Sequence, residues 1–484
     1  MSNKKALWSL IGLAVMLAIV LMPTPIGLSI AGQRVLAVLA FAVIMWVTEA
    51  IPYPLSALLI IVFLILYLGF APAKGIEGPL LGTGKAIPLA LSGFINSGWV
   101  LVAAGLFMAA GILTTGLEKR IALSILRLVG TKTNRIFAGM ILVMLVLDFL
   151  IPSMTARAAT MTPIAMGLIA AFGVDRKSVF ARSLLITVAI MSSISGIGIL
   201  TAAAPNAIFL GFANNIFHKS ITWGQWLVYS MPYCLLLSIT FYFLITRLNR
   251  FEFSEVPGGK TAIQRALQEI GPTTNEEKRI LTIFLFTIFL WASESYHRID
   301  PNTVAILSVA LMLLPGIGVT TWKEISSKVD WGTILLFGAG ISLGESLLSS
   351  GAAIWLAKAT LGSMGLEKMT PPVMMIIIVI ALLIIRFAFA SITSATAALV
   401  PTVMGFLLSL NNPDLPVFGM TLIATYTVCF AFILPVNSPQ AMIAYATDTF
   451  EVKDMVKIGI PLTLVAFALV VLFSFTYWHW LGLI

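Results

Sequence analysis

The sequence predicts an all-α polytopic membrane protein with about 11 transmembrane helices and two re-entrant helical hairpins in an inverted repeat. Composition is the first reason: of 484 residues, 59% are apolar and 10% are charged, whereas a soluble domain carries about 25% charged residues. The second reason is a pair of apolar stretches nearly twice the length of a span. The third is a match between the two halves of the chain. Together these observations exclude soluble enzymes, secreted scaffolds and nucleic-acid binders.

The ordinary spans follow from length, because a bilayer core needs roughly 20 apolar residues per helix. The runs 182–217 and 416–449 are too long for one helix and are interrupted around Gly196–Pro205 and Pro435–Pro439, as discontinuous helices are. The predicted spans are 6–23, 35–51, 54–71, 97–116, 182–217, 226–247, 279–297, 302–316, 331–350, 416–449 and 457–481.

Two further stretches, 136–172 and 371–410, are predicted to be re-entrant hairpins. Each is broken at its middle by a small, polar, proline-flanked patch, which would form the tip between two half-depth helices. Non-helical backbone is tolerated at that depth only where protein buries it or where it lines a water-filled cavity. Both tips are therefore expected to lie inside the protein or beside such a cavity.

The basic residues predict the orientation. With the N-terminus in the cytoplasm and each hairpin returning to its own side, 20 of the 29 Lys and Arg residues lie inside, and Arg157 and Arg386 lie within the hairpins. Membrane proteins carry such an excess in their cytoplasmic loops. We therefore expect a multi-pass protein of the plasma membrane, in a bacterium the inner membrane, and the net charge of +9 needs no nucleic-acid partner. The residues predicted outside are Arg34, Lys74, Lys85, Lys219, Arg298, Lys358 and Lys368.

An internal repeat relates the two halves of the chain. The tip PSMTARAATMTPI (152–164) corresponds to ASITSATAALVPTV (390–403), and AAPNAI (203–208) corresponds to NSPQAM (437–442). Inverted repeats with paired hairpins and interrupted helices are typical of secondary transporters, which bind substrate near mid-membrane. The predicted division is a first transmembrane helix (1–33), repeat 1 (34–225) with hairpin 136–172, a linking span and cytoplasmic loop (226–278), repeat 2 (279–450) with hairpin 371–410, and a last transmembrane helix (451–484).

Both tips contain a Ser-x-Thr sequence, Ser153 with Thr155 and Ser391 with Thr393. A helix that begins at such a tip offers free amide groups and a partial positive charge, which suit carboxylates and other oxyanions. Two tips at one centre would bind the two ends of a short dianion. The alternative is that these small residues only allow helices to pack closely.

Other polar residues near the tips have two interpretations each. An arginine near mid-membrane costs at least ~2.5–3.5 kcal/mol on insertion scales, so Arg157 is expected either to contact an anionic substrate or to bond hairpin carbonyls or Asp148. Arg386 is expected to have a structural or gating role. Asn206 and Asn437 would line the site or satisfy the broken backbone. Glu49 and Glu294 lie near span ends, where capping is the simpler interpretation.

At these residues the chain resembles the divalent anion/sodium symporter family, also called DASS or INDY. The early segment WVTEAIPYPLSALL (46–59), both tips and APNAI carry the resemblance, which covers nearly the whole chain. It implies a homodimer in the membrane lipid, an elevator mechanism, and di- or tricarboxylate or sulfate substrates bound at the two tips. It also implies that the interrupted helices contribute near Gly198 and Pro435.

One departure from the family concerns sodium. The motif asparagine is replaced by Met154 in the first tip and by Ile392 in the second. Neither side chain offers an amide oxygen to Na⁺, so the chain is more similar to the family's sodium-independent exchangers, with a residual sodium site expected near Ser153 and Gly198.

The sequence thus predicts a secondary active transporter of small divalent organic anions, not an enzyme, which works by exchange and needs no cofactor except possible coupling to Na⁺. The substrate site would consist of Ser153, Met154, Thr155, Arg157, Asn206, Ser391, Ile392, Thr393, Pro435 and Asn437. A sodium-coupled dicarboxylate or sulfate symporter is the alternative. An anion channel is a further alternative. Saturable counterflow would distinguish the transporter from a channel, because a channel does not show it.

Overall fold

The computed structural model describes residues 3–73, 75–219, 221–360, 369–410 and 412–484. Two positions of the orientation prediction, Lys74 and Lys368, lie outside the described residues. The described chain is helical, apart from two isolated β-bridges, Pro72 with Leu80 and Lys132 with Glu255.

The helices of the first half begin at polar caps. Ser29, Asn96, Ser153 and Ser178 each accept a hydrogen bond from a backbone amide of the first turn that follows, which satisfies one of the amides left free at a helix start. The helices are α1 (Asn3–Leu21), α2 (Ile30–Thr48), α3 (Tyr53–Gly69), α4 (Thr83–Ala90), α5 (Ser97–Thr115), α6 (Leu117–Val129), α7 (Thr133–Leu147), α8 (Met154–Ala171), α9 (Val179–Gly198), α10 (Ala204–Ile216) and α11 (Trp223–Leu248).

The second half repeats this order of long helix, hairpin and interrupted helix. Its helices are α12 (Gly259–Ile270), α13 (Asn275–Ala292), α14 (Glu294–His297), α15 (Pro301–Leu313), α16 (Trp322–Lys328), α17 (Trp331–Ser349), α18 (Ala352–Thr360), α19 (Pro371–Arg386), α20 (Ile392–Ser409), α21 (Val417–Val428), α22 (Pro439–Tyr445), α23 (Val452–Phe475) and α24 (Tyr477–Trp480).

The predicted all-helical membrane fold is confirmed. Eight of the described helices are long and apolar enough to cross a membrane by length and composition, and further apolar helices are shorter. Every predicted span contains a helix of the structure, and both predicted hairpins consist of two helices, α7 with α8 and α19 with α20. The domain boundaries given above remain a prediction.

The two interrupted helices differ from the sequence expectation in one respect. The first break matches: α9 ends at Gly198, a 3-10 turn spans Leu200–Ala202, and α10 starts at Ala204. The second break begins earlier than predicted, because α21 ends at Val428, well before Pro435. Proline lacks an amide donor and is tolerated in the first turn of a helix, so Pro435 and Pro439 mark where helical structure can start again. The end of α21 lies upstream of both prolines.

The packing places both breaks beside the tips. Helix α8 of the first hairpin packs against α9 and also against α22, which belongs to the second half. Helix α20 of the second hairpin packs against α21 and also against α10 and α17. The two hairpins and the two interrupted helices therefore form one assembly to which both halves of the chain contribute.

Candidate functional site

A cavity of about 150 Å³ lies between the two hairpin tips. Four predicted residues, Ser153 and Thr155 from the first tip and Ser391 and Thr393 from the second, line it together with Met154. They are 238 residues apart in sequence, and the fold brings them to one centre. The remaining lining residues are Tyr53, Leu101, Val102, Leu106, Pro152, Leu200, Thr201, Ala203, Ala204, Ala207, Asp330, Thr333, Leu336 and Pro439.

Four helices begin at this cavity, and their starts give it its electrostatic character. Thr155 and Thr393 lie in the first turns of α8 and α20, and Ala204 and Pro439 begin α10 and α22. Each start carries amides without an intrahelical partner and part of the positive end of the helix dipole. These helix starts favour an anion, although no basic side chain lines the cavity and one acidic side chain does, Asp330, whose carboxylate accepts hydrogen bonds from Thr333.

The two tip serines are held in the same way. The hydroxyl oxygen of Ser153 accepts a hydrogen bond from the amide of Ala156 at 3.2 Å, and that of Ser391 accepts one from Ser394 at 3.4 Å. Both serines have extended backbone before the helix, as capping residues do. Both hydroxyls lie at the cavity, where that of Ser391 also faces the hydroxyl of Tyr53.

The residues at the family's asparagine positions are apolar and buried. Met154 is 6% exposed and Ile392 is 2% exposed, and of the two Met154 alone lines the cavity. Gly196 of α9 makes room for Met154, because a Cβ atom there would lie 2.9 Å from its Cγ. The thioether therefore occupies a position where an amide oxygen would otherwise face α9.

Arg157 is fully buried and does not line the cavity. Its guanidinium donates to the carbonyls of Ile151 at 2.7 Å, Ala202 at 2.9 Å and Ser192 at 3.3 Å. Its Nη2 also lies 2.7 Å from Oδ1 of Asp148. This placement matches the alternative that we left open from the sequence, bonds to hairpin carbonyls and to Asp148.

Arg386 has a similar surrounding but no acidic partner. It is 2% exposed and donates to the carbonyls of Val428 at 2.9 Å, Phe389 at 2.7 Å and Asn437. Among the ion pairs of the described residues, none includes Arg386. The guanidinium is thus solvated by backbone carbonyls and keeps its full charge beside the second tip.

The asparagines of the two interrupted helices donate hydrogen bonds to backbone carbonyls. The amide nitrogen of Asn206 donates to Gly196 at 2.8 Å and Ile199 at 2.9 Å, and that of Asn437 donates to Phe387 and Phe389, both at 3.1 Å. The cavity lining does not include either asparagine, Pro435 or Gly198.

A cation at the tips would need oxygen ligands. The Oδ1 atom of Asn206 is buried with no hydrogen-bond partner, which leaves it free to accept. Within the described part of the chain, no group of three or more His, Cys, Asp and Glu residues could hold a metal ion. The oxygens near the tips include Asn206 Oδ1, the carboxylates of Asp148 and Asp330, hydroxyls and backbone carbonyls.

Sequence reasoning missed several polar residues of the cavity, among them Tyr53, Thr201, Asp330 and Thr333. The Tyr53 hydroxyl donates to Glu49 at 2.9 Å, and Asp330 caps α17 by accepting from the amide and hydroxyl of Thr333 at 3.1 and 2.6 Å. Tyr53 lies in the segment 46–59 that carries the family resemblance. Neither Tyr53 nor Asp330 has a neighbouring residue that marks it as a ligand.

A larger cavity of about 950 Å³ lies between α5, α6, α8 and α12. Its wall includes Glu118, which is 7% exposed and has no partner for Oε2. Burial and, to a smaller extent, nearby Glu277 raise the pKa of Glu118, which Lys328 and Lys119 lower, and the net value is about 7. Along α8, Thr155 lines the tip cavity, and Ala159, Pro163 and Gly167 on the same face line this one.

The chain belongs to the family described as the sodium:sulfate symporter transmembrane region, whose sequence profile matches residues 3–484. The resemblance inferred from the tips is thereby confirmed. A "Membrane protein" of Cupriavidus necator is 42% identical over 98% of this chain and 93% of its own.

Two relatives have names that state a transport activity. An "L-tartrate/succinate antiporter" of Shigella dysenteriae is 28% identical over 95% of each chain. A "Sodium-dependent dicarboxylate transporter SdcS" of Staphylococcus saprophyticus is 26% identical over 93% of this chain and 86% of its own. The family thus includes both antiporters and sodium-dependent transporters of dicarboxylates.

Solved structures of two transporters share the fold. The Alcanivorax borkumensis YdaH transporter matches 89% of this chain and 99% of its own, with a TM-score of 0.54 and 11% identity. Neisseria gonorrhoeae MtrF matches 89% of this chain and 95% of its own, with a TM-score of 0.54 and 12% identity. At this identity the likeness concerns the fold alone.

Proposed function

We propose that this protein is a secondary active transporter that exchanges small dicarboxylates across the membrane by an elevator motion of the hairpin assembly. The observation that carries the proposal is the convergence of four helix starts on one cavity between two Ser-x-Thr tips. One carboxylate binds the first tip through Ser153 and Thr155, and the other binds the second tip through Ser391 and Thr393. Arg157, Asn206, Asn437 and Arg386 hold the surrounding backbone in place.

The size of the cavity favours a short substrate. Ligand pockets of drug size span about 300–1,000 Å³, and the tip cavity has about 150 Å³. A water molecule accounts for about 30 Å³ of the liquid, so the space corresponds to about five water molecules. A four-carbon dicarboxylate is a better match than citrate, and the name of the Shigella dysenteriae relative points to substrates of this length.

The tips favour exchange over sodium symport. Met154 and Ile392 provide no oxygen ligand, which lowers the affinity for Na⁺. The positive potential that a dianion needs is instead permanent, since four helix starts face the cavity and Arg386 is uncompensated nearby, whereas the lining holds one acidic side chain, Asp330. An empty carrier would move this charge unfavourably, so each transit is expected to require bound substrate.

Sodium-coupled symport is the second candidate, and a specific observation favours it. The free Oδ1 of Asn206 and the carbonyls of the first break could bind Na⁺ without the motif asparagine. A relative named as sodium-dependent is nearly as similar to this chain as the antiporter is.

Counterflow in proteoliposomes tests the proposal. Uptake of labelled succinate or tartrate is expected to require the same anion inside the vesicles and to change little when choline replaces Na⁺. Uptake into empty vesicles driven by a Na⁺ gradient would instead show symport. Unsaturable flux without counterflow would indicate a channel.

We further propose a homodimer in the bacterial inner membrane with a cytoplasmic N-terminus. Cysteine in place of exposed Lys260 or Lys358 tests the orientation, because both native cysteines, Cys234 and Cys429, are buried. An impermeant thiol reagent should label Lys358→Cys and spare Lys260→Cys on intact spheroplasts. The opposite pattern would invert the topology.

A further inference from the structure

The two buried arginines bond to corresponding groups of the two repeats. Arg157 donates to Ile151, in the break of the first hairpin, and to Ala202, the last residue of the adjacent 3-10 turn. It also donates to Ser192, in the second half of α9. One guanidinium thus joins the hairpin break, the turn and the second half of the preceding helix.

Arg386 joins the hairpin break, the 3-10 turn and the preceding helix of the second repeat. It donates to Phe389, in the break of the second hairpin, and to Asn437, the last residue of the second 3-10 turn. It also donates to Val428, the last residue of α21. Ile151 and Phe389 are separated by 238 residues, the offset that relates the two tips.

The arginines themselves do not correspond in sequence. At the offset of 238, Arg386 corresponds to Asp148, and Arg157 corresponds to Ala395. The first guanidinium enters from α8, after the tip, and the second enters from the last residue of α19, before the tip. Two different positions on the hairpin therefore deliver a guanidinium to the same carbonyl of the hairpin break, Ile151 or Phe389, and to nearby carbonyls of the interrupted helix.

We propose that Arg157 and Arg386 are equivalent guanidinium clamps that fix each tip to the interrupted helix of its own repeat and so position the helix starts at the substrate cavity. The inference deepens the proposed function, because it assigns the groups that hold the two anion-binding ends. Both are positioning residues, since neither lines the cavity.

The chemistry explains why arginine is used. Carbonyls of a broken helix have no water to bond at membrane depth, so each needs a donor from the protein. Guanidinium has five N–H groups in a rigid planar fork and can bond several carbonyls at once, whereas the lysine ammonium is a compact point charge on a flexible stem. A clamp of this kind therefore depends on shape as well as charge.

The clamps differ in net charge. Asp148 lies 2.7 Å from Arg157 and neutralises the first clamp. Among the described residues, no acidic side chain forms an ion pair with Arg386, so the second clamp keeps one positive charge. The second end of the cavity is thus the more attractive to a carboxylate.

A transplant between the repeats tests the clamp. Arg386→Asp removes the second guanidinium, and Arg386→Asp with Ala395→Arg rebuilds the second clamp with the residues of the first. We expect the single variant to lose several degrees of ligand-free thermal stability and at least tenfold in succinate affinity. The double variant should recover most of the lost stability and most of the lost affinity. Arg386→Lys keeps the charge but not the planar fork, and its succinate affinity should stay close to that of Arg386→Asp.

The reverse transplant is Asp148→Arg with Arg157→Ala, compared with Arg157→Ala alone. Wild-type succinate affinity in Arg386→Lys would overturn the proposal. So would a result in which, in both repeats, the double variant has no more stability or affinity than its single variant. So would failure of both double variants to fold while Arg386→Lys folds. Ligand-free stability is measured without substrate, so its recovery in a protein that binds no dicarboxylate would uphold the clamps and reject the proposed function.

Discussion

The two hairpins reach the same geometry with different charge. Each tip has a serine cap, a Ser-x-Thr sequence and a buried arginine bonded to the broken backbone, and each faces the same cavity. The first arginine is paired with Asp148, whereas the second is not paired with any acid in the described part of the chain. The backbone arrangement is thus common to both repeats, while the electrostatics is specific to each. The two ends of the cavity should therefore respond differently to substitution.

The largest expected effect is on the paired side. Asp148→Ala leaves Arg157 buried with no counter-charge, and breaking a buried pair in this way typically costs about 3–5 kcal/mol. Thermal unfolding in detergent should show a large loss of stability. Asp148→Ala with Arg157→Gln should recover part of it, because no uncompensated charge remains. Equal stability of Asp148→Ala and the wild type would show that the pair is not what holds the first tip.

A second effect concerns the two tip serines. Ser153→Ala with Ser391→Ala removes one donor from each end of the cavity, and a hydrogen bond to a charged group is worth about 1.5–3 kcal/mol. Succinate affinity should fall by at least tenfold, with folding intact. The matched control is Ser178→Ala, which removes the cap of α9, bonded to Ala181 at 3.1 Å, away from the cavity.

The single serine variants sharpen the comparison further. Ser391→Ala should weaken binding more than Ser153→Ala, because the uncompensated Arg386 makes the second end the stronger anion site. Isothermal titration of both variants with succinate measures the difference. Equal losses would mean that the extra charge does not reach the cavity.

A third effect tests the asparagine positions. Met154→Asn places an amide where the thioether now lines the cavity, and should increase the stimulation of uptake by Na⁺. Ile392→Asn should change sodium dependence less, since Ile392 does not line the cavity. Uptake measured in Na⁺ and in choline gives both values. A larger sodium response in Ile392→Asn would reverse the assignment.

Much of this arrangement could be predicted from the sequence. The hairpins, the breaks and the four hydroxyl residues of the tips follow from apolar length, proline placement and the internal repeat, which depend on local patterns. The role of Arg157 could not be settled in that way, because contact with a substrate and contact with Asp148 explain its presence equally well. Tyr53 and Asp330 reach the cavity through the packing of α3 and α17, and no local pattern encodes that contact.

The smallest expected effect is a pH dependence at the larger cavity, which Glu118 lines. Burial raises the pKa of Glu118 from its ordinary value of 4.5 to about 7, so the folded protein keeps a proton that the unfolded chain loses. This stabilisation is fully present below about pH 4.5 and is lost as the pH rises through 7. Glu118→Gln should flatten the thermal stability profile over this range by a few degrees at most. An unchanged profile would show that Glu118 does not titrate there.

The central claim is that both tips bind one dicarboxylate while the arginines remain on the backbone. A structure of the protein with bound succinate tests it most directly. We predict one carboxylate within hydrogen-bond distance of Ser153 and Thr155, the other within reach of Ser391 and Thr393, and both guanidinium groups still bonded to Ile151 and Phe389. Succinate bound by Arg157 directly, or bound outside the cavity between the tips, would contradict the account.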